Sequence, residues 1–267
     1  MYRDKTLGVI AGAGPFAGNN LIQKILEQTE AFVDQDHLTI IGWFQPNTIL
    51  DRTEFLLGNW QDNPGYAIAA QALALEKAGA EVIAIPCNTA HAPPIFNVIQ
   101  SELNHAGAGA LFLNMIEETA AFIREQFPDI NILGVLSTTG AYRTRLYPYF
   151  LENSGIEVVS PGEDIQNTLI HTAIYDPDYG IKAIGKAHPR ARQQLLEGIK
   201  HLVSQGAEAI IMGCSEIPLA FPESEVEGIP LIDPTLALAR ALIHHASPDK
   251  LKPWLASGKQ PDTPPPS

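Results

Sequence analysis

Only two cysteines occur in this 267-residue chain, and each closes the same kind of segment. Glu76-Lys-Ala-Gly-Ala-Glu-Val-Ile-Ala-Ile-Pro-Cys87-Asn-Thr aligns with Val203-Ser-Gln-Gly-Ala-Glu-Ala-Ile-Ile-Met-Gly-Cys214-Ser-Glu. In both, a short apolar run rich in β-branched residues delivers its cysteine at the carboxyl end, where parallel sheets gather ligands and the following turn offers unpaired amide N–H groups. Such a position lowers a thiol pKa from about 8.5 toward neutrality. Two thiols on equivalent strands can face one substrate carbon from opposite sides, one removing a proton and the other returning one. Racemisation needs that arrangement. Asn88, Thr89 and Ser215, with adjacent backbone amides, supply donors for a carboxylate and for the enolate-like charge that deprotonation creates. The same side chains can cap the turns they open, and the two roles are compatible, because cap donors bind anions. His91 stands close enough in sequence to tune Cys87 or to serve the first turn of the next helix.

The elements that must position these residues alternate along the chain. Strands are expected at Thr6–Ala11, Leu38–Phe44, Glu81–Pro86, Ile130–Ser137, Ile156–Val159 and Ala209–Met212. Helices are expected near Phe16–Glu30, Tyr66–Ala78, His91–Leu103, Met115–Gln126, Arg190–Gln205 and Thr235–His245. That alternation predicts an α/β fold with parallel strands. The cysteines are 127 positions apart (214 − 87), and Leu7-Gly8-Val9-Ile10 lies 126 positions (134 − 8) before Leu133-Gly134-Val135-Leu136. Two features at nearly one offset indicate two duplicated α/β halves. The end of the chain, Gly-Lys-Gln-Pro-Asp-Thr-Pro-Pro-Pro-Ser, has almost nothing to bury and is expected to be a flexible tail over 257–267.

Composition narrows the partners. With 45% hydrophobic residues the chain can bury a substantial core. Its formal charge of -13 repels nucleic acid and anionic membrane surfaces. That charge also repels an anionic substrate, so cations and amide dipoles must be placed locally to hold one. No apolar run approaches the roughly 20 residues of a membrane span, and the start does not read as a signal peptide. Two cysteines are too few for a disulfide framework; the expected location is cytoplasmic.

The blocks Pro86-Cys87-Asn88-Thr89-Ala90-His91 and Gly213-Cys214-Ser215-Glu216-Ile217-Pro218 resemble the two signatures of the aspartate/glutamate racemase family. Gly8-Val-Ile-Ala-Gly-Ala-Gly-Pro15 resembles the family's N-terminal glycine loop, and Asp51-Arg52-Thr53 its arginine segment. Met115-Ile-Glu-Glu-Thr119, Thr138-Thr139-Gly140 and Leu231-Ile-Asp-Pro234 extend the likeness, which spans about residues 7 to 240. The closer resemblance is to cofactor-independent aspartate racemases. It implies two pseudo-symmetric flavodoxin-like halves of three layers, with the site between them. The first half would be 1–109 plus 230–256, carrying Cys87; the second, 110–229, would carry Cys214. It further implies no cofactor, no metal, a homodimer, and interconversion of L- and D-aspartate by Cys87 and Cys214. Arg52 and Lys182 would grip the distal carboxylate, while Gly12, Asn88, Thr89 and Ser215 complete the substrate-binding set. Two positions depart from the pattern. Ala13 stands where a methionine is frequent, which widens the pocket, and Ser215 replaces a threonine while keeping its hydroxyl.

Other readings compete. Gly12-Ala-Gly14-Pro-Phe-Ala17 fits a loose dinucleotide fingerprint, but Pro15 removes an amide donor and Leu38–Phe44 ends without a ribose-binding acid. The cysteines also suit a redox-switched or non-catalytic carboxylate-binding protein, although no Cys-x-x-Cys is present. Within the enzyme class, glutamate racemase and a broad-specificity amino-acid racemase are the alternatives. Lys182 and Arg52 favour a short dicarboxylate.

Overall fold

Asparagine, aspartate and proline set the helix starts, and the alternation of apolar residues sets the strands. In the computed structural model, which describes residues 4–152 and 155–254, the first half runs β1 (Leu7–Ile10), α1 (Pro15–Gln28), β2 (Ile40–Trp43), α2 (Arg52–Leu56), α3 (Pro64–Lys77), β3 (Val82–Ala84), α4 (Pro93–Ala106) and β4 (Leu111–Phe112). The second half begins with α5 (Met115–Gln126), β5 (Ile132–Ser137), α6 (Thr139–Arg143), α7 (Leu146–Leu151) and β6 (Glu157–Val159). It continues through α8 (Glu163–Ile165), a π-helical turn over Gln166–Ile170, α9 (His171–Tyr175), α10 (Ile181–Ile184), α11 (Pro189–Ser204), β7 (Ala209–Gly213), β8 (Glu225–Val226) and β9 (Ile229–Ile232). The last long helix is α12 (Pro234–Ala246). Proline opens α1, α3, α4, α11 and α12, where its fixed φ is already helical and its missing N–H would have had no intrahelical partner. Asn63, Asn114 and Asp233 cap α3, α5 and α12 with side-chain oxygens that accept backbone N–H bonds. The tail expected over 257–267 lies outside the described residues.

Two sheets result. The first has the order β2-β1-β3-β4 and the second β6-β5-β7-β9-β8. All neighbours are parallel except the β8–β9 hairpin at one edge. This is the expected α/β architecture of two flavodoxin-like halves, with the strand order reversing direction beside β1 and again beside β5. Helices cover both faces of each sheet. Leu7, Val9, Val82 and Ala84 point toward α1 and α12, whereas Ile10 and Ile83 point toward α3 and α4. Ile210 and Met212 face the α9 and α11 layer, and Ala209 and Ile211 face α5 and α7. Each fully buried Leu or Ile contributes about 1.5–3 kcal/mol. The chain crosses between halves in the segments joining β4 to α5 and β9 to α12, just beyond Gly109 and Pro230. Leu111–Phe112 pairs with β3 of the first sheet and Ile229–Ile232 with β7 of the second. After the second crossing α12 packs Leu238, Leu242 and Ile243 into the core of the first half.

The sequence repeat is also a repeat of packing. Gly79 and Gly206 take positive φ of 106° and 96°, turning α3 and α11 into their strands. The next residues, Ala80 and Ala207, donate their N–H groups to Leu75 and Leu202 carbonyls at 3.0 and 3.1 Å. The glutamates that follow accept bonds from the neighbouring strand's start, Glu81 from the Thr6 N–H at 3.1 Å and Glu208 from the Ile132 N–H at 3.0 Å. Gly8 and Gly134 let these turns sit against β1 and β5. A Cβ at Gly8 would lie 2.8 Å from the Ala80 Cβ, and one at Gly134 would lie 2.6 Å from Ile210 Cδ1 and 3.1 Å from the Ala207 Cβ. Gly8→Val and Gly134→Val are therefore each expected to overpack a core and lower unfolding free energy by about 1–3 kcal/mol. Denaturant midpoints within error of the parent protein would show that the turns can move aside.

Among the described residues no helix is long and apolar enough to cross a membrane. Strands missing from the sequence reading are the short β4, β8 and β9. The helical turns α2, α6 to α10 and the π-turn were also missed, because none is long enough to show a helical period.

Candidate active site

The carboxyl ends of β1, β3, β5 and β7 all open toward one cleft between the halves. β3 ends at Ala84, and Cys87, three residues on, stands at the start of a 3₁₀ turn over Asn88–His91 before α4 begins. β7 ends in Gly213 and is followed by Cys214, Ser215 and Glu216, then by the short turn Ile217–Leu219. Both cysteines are free and line the same cavity, together with Arg52, Lys182, Asn88, Thr89 and Ser215. The structure thus brings together every expected site residue except Gly12. A Cβ at Gly12 would lie 2.9 Å from the Gln45 backbone, so this glycine lets the loop pack on its neighbour while Ala13 reaches the cavity. The enclosed space is about 10 Å³, about what one water needs.

Hydrogen bonds across the cleft hold the halves together at the site. The Asn88 amide donates from Nδ2 to Ser215 Oγ at 3.1 Å, and the Tyr147 hydroxyl donates to Asn88 Oδ1. The hydroxyls of Thr89 and Thr138 are 2.8 Å apart, as are those of Thr53 and Tyr175. Asn88, Thr89 and Ser215 therefore bind each other's half as well as lining the pocket. Among the other residues of these bonds, Thr53 and Thr138 belong to motifs read from sequence, whereas Tyr147 and Tyr175 carry no signal there.

Two cations meet here, Arg52 buried and Lys182 partly buried with its side chain 22% exposed. Arg52 is 8% exposed and donates to the Leu50 carbonyl at 3.2 Å and to the Ala13 carbonyl. Burial opposes its charge most strongly, but Cys87, which it also hydrogen-bonds, and Asp51 hold its pKa above the ordinary guanidinium value. Lys182 rises from α10 and donates to Glu216 Oε1 at 2.6 Å. Burial again opposes the charge, yet Glu216 foremost, with Cys214 and Tyr175, keeps the Lys182 pKa above the ordinary ammonium range. Glu216, held low by Lys182 against its own burial, is the charged residue that sequence reasoning quoted in a motif but did not assign to the site.

The thiols differ. Cys214 is 2% exposed and donates from Sγ to Glu216 Oε2 at 3.1 Å. Burial, and next the Glu216 carboxylate, push this thiol well above the ordinary range, so the sulfur keeps its proton. The lowered pKa expected from its strand-end position is not found at Cys214. The turn after it is short, and a carboxylate rather than a cation meets the sulfur. Cys87, 9% exposed, has the Arg52 guanidinium beside it instead.

His91 does not line the cavity. It is 1% exposed, pairs its Nδ1 with the Cys87 carbonyl at 2.9 Å, and packs its ring 5.3 Å from Phe96. Since the carbonyl only accepts, Nδ1 carries the proton, and the ring braces the Cys87 turn. Burial lowers its pKa from 6.5 to about 4. Between those values the unfolded chain binds a proton that the folded protein does not, so stability is full above pH 6.5 and falls as pH drops through about 4. The loss attributable to His91 is about 3 kcal/mol. A His91→Asn variant should show that much less destabilisation between pH 7 and pH 4 in urea titrations; an unchanged pH slope would assign the acid sensitivity elsewhere.

Comparison with known proteins agrees with this geometry. A broad-specificity amino-acid racemase, RacX of Bacillus subtilis strain 168, is 27% identical over 248 residues, 89% of this chain and 96% of the relative. The structure of Picrophilus torridus aspartate racemase superposes with a TM-score of 0.72 at 30% identity, covering 91% of this chain and 94% of that one. An aspartate racemase homologue from Pyrococcus horikoshii OT3 gives 0.69 at 26% identity, covering 91% and 99%. Residues 10–242 match the Asp/Glu/hydantoin racemase family, which takes in both cysteine strands, Arg52 and Lys182; the chain belongs to that family of isomerases.

Proposed function

We propose that this protein is a cofactor-independent aspartate racemase that works with Cys87 and Cys214 as its two acid–base groups. The observation that carries the reading is the convergence of two strand-end thiols, the buried Arg52 and the partly buried Lys182 on one cleft. A short dicarboxylate matches that set. Its distal carboxylate would lie between Arg52 and Lys182, which solves the problem of drawing an anion into a protein of charge -13. Its α-carboxylate would take the donors of Asn88, Thr89 and Ser215, and these would stabilise the enolate-like charge as the α-proton leaves.

In one direction a thiolate at Cys87, accompanied by Arg52, removes the α-proton while the thiol of Cys214 delivers its own proton to the opposite face. In the other direction the roles exchange. A cavity of about 10 Å³ is far too small for an amino acid. Entry therefore requires the two halves to separate, with the segments between β4 and α5 and between β9 and α12 as hinges, and closure excludes water from the carbanion-like intermediate. A reducing compartment such as the cytoplasm would keep both thiols free.

Broad specificity is the second reading. It is favoured by Ala13, whose small side chain lines the cavity, and by the likeness to RacX. Incubation in D₂O with L-aspartate, L-glutamate and L-alanine, followed by α-deuterium and chiral analysis, separates the two. Aspartate alone should exchange and racemise; comparable exchange of alanine would replace the aspartate reading with the broad one, and no exchange of any would remove both.

Cys87→Ala and Cys214→Ala should each reduce racemisation of aspartate by at least about 10³-fold, since each removes a proton-transfer group. Near-normal turnover in either variant sinks the two-thiol scheme. Arg52→Ala should lower kcat/KM for aspartate by about 10²-fold or more, as expected for a buried charge-assisted contact of roughly 3 kcal/mol. Unchanged kinetics would take Arg52 out of substrate binding.

A further inference from the structure

Glu216 already occupies the place on Lys182 that the preceding reading gives to the substrate's distal carboxylate. Its side chain is 6% exposed and both oxygens are engaged, Oε1 with Lys182 Nζ at 2.6 Å and Oε2 with the Cys214 thiol at 3.1 Å. The carboxylate extends across the cleft to the glycine loop of the other half. A Cβ at Gly14 would stand 2.7 Å from Oε1, so only glycine leaves room for it. Lys182 and Glu216 belong to one half, so their ion pair persists when the halves part. With the halves closed, the remaining space of about 10 Å³ cannot hold a second carboxylate beside the first.

Charge balance makes this arrangement consequential. A buried ammonium deprived of its partner is strongly destabilising, because the desolvation of the cation is then uncompensated. Lys182, with 22% of its side chain exposed, recovers its desolvation cost most fully with a carboxylate beside it, supplied either by Glu216 or by a ligand. We propose that Glu216 is the specificity-determining residue of the site, an internal carboxylate that only a ligand with a second carboxylate displaces from Lys182. The exchange does two things at once. It seats the ligand's distal group, and by moving Glu216 it breaks the Sγ–H···Oε2 bond, leaving the Cys214 thiol free to turn toward the α-carbon with its proton still on sulfur. A ligand with one carboxylate has nothing to offer Lys182; it leaves both bonds in place and Cys214 held away from the reaction. The inference rests on the reading of Lys182 as the distal-carboxylate site.

The test is calorimetric titration of the full chain with succinate and with propionate, which carry two carboxylates and one and undergo no reaction. Glu216→Gln keeps the shape of the side chain but gives up the charge, so succinate no longer competes for Lys182. Its dissociation constant should fall about tenfold or more, a change of roughly 1.4 kcal/mol per tenfold, while propionate binding stays as in the parent. General damage to the pocket would weaken binding rather than tighten it. Adding Lys182→Gln in the Glu216→Gln background should abolish the gain. If Glu216→Gln does not fold, Glu216→Asp serves, since its shorter carboxylate reaches Lys182 less well and should tighten succinate by a smaller factor. Unchanged succinate affinity in the folded variants, an equal gain for propionate, or a gain that survives loss of Lys182 would overturn the proposal. Failure of the aspartate reading would show separately, as absence of α-deuterium exchange in the parent protein, because the titrations do not depend on turnover.

Discussion

Holding a buried Arg52 and a partly buried Lys182 between the halves of an acidic protein is the constraint on which the rest of the site depends. Arg52 and Lys182 are each drawn from water, and each must recover that cost locally. Arg52 does so with backbone carbonyls, Asp51 and Cys87; Lys182 does so with Glu216. These partnerships fill the cleft, fix the loops after β1 and β7, and decide what charge the site will take. A neutral cleft could be lined by small apolar residues and would tolerate many ligands. In the proposed exchange, a cleft whose charges are already paired takes a ligand that re-pairs them.

The symmetry of the fold brings the two thiols to one cleft, and the side chains around them are asymmetric. Matching Gly-Ala-Glu turns, matching close approaches at Gly8 and Gly134, and matching strand orders place Cys87 and Cys214 at equivalent positions in the two halves. Yet one sulfur neighbours a guanidinium and the other donates to a carboxylate. In the proposed two-base scheme the two thiols have unlike neighbours, on α2 and on the turn after β7. The thiols do not need different strands, only different partners.

Contacts between the halves are polar at the site. Asn88 with Ser215 and Tyr147, Thr89 with Thr138, and Thr53 with Tyr175 are hydrogen bonds, which water would replace in the opening proposed for ligand entry. An apolar interface of the same extent would resist separation more strongly. Away from the site, α12 returns to the first half after β9 has joined the second sheet, so two chain crossings tie the halves.

The sequence by itself determined the α/β alternation, the duplication and the pairing of the cysteines, because strand period, helix-opening prolines and the Gly-Ala-Glu repeat are local patterns. It also supplied the candidates Arg52, Lys182, Asn88, Thr89 and Ser215, largely through their resemblance to known motifs. The tertiary structure alone decided which groups meet. Nothing near residue 175 or residue 147 in the sequence points to a cleft, and Glu216 lies 34 positions from the lysine it neutralises. Protonation followed the same rule. The strand-end position of Cys214 promised a lowered pKa, but burial and a facing carboxylate raised it. Solvent exclusion and Coulomb interactions act through space between groups that chain order keeps apart, so they become legible only once the halves are folded against each other.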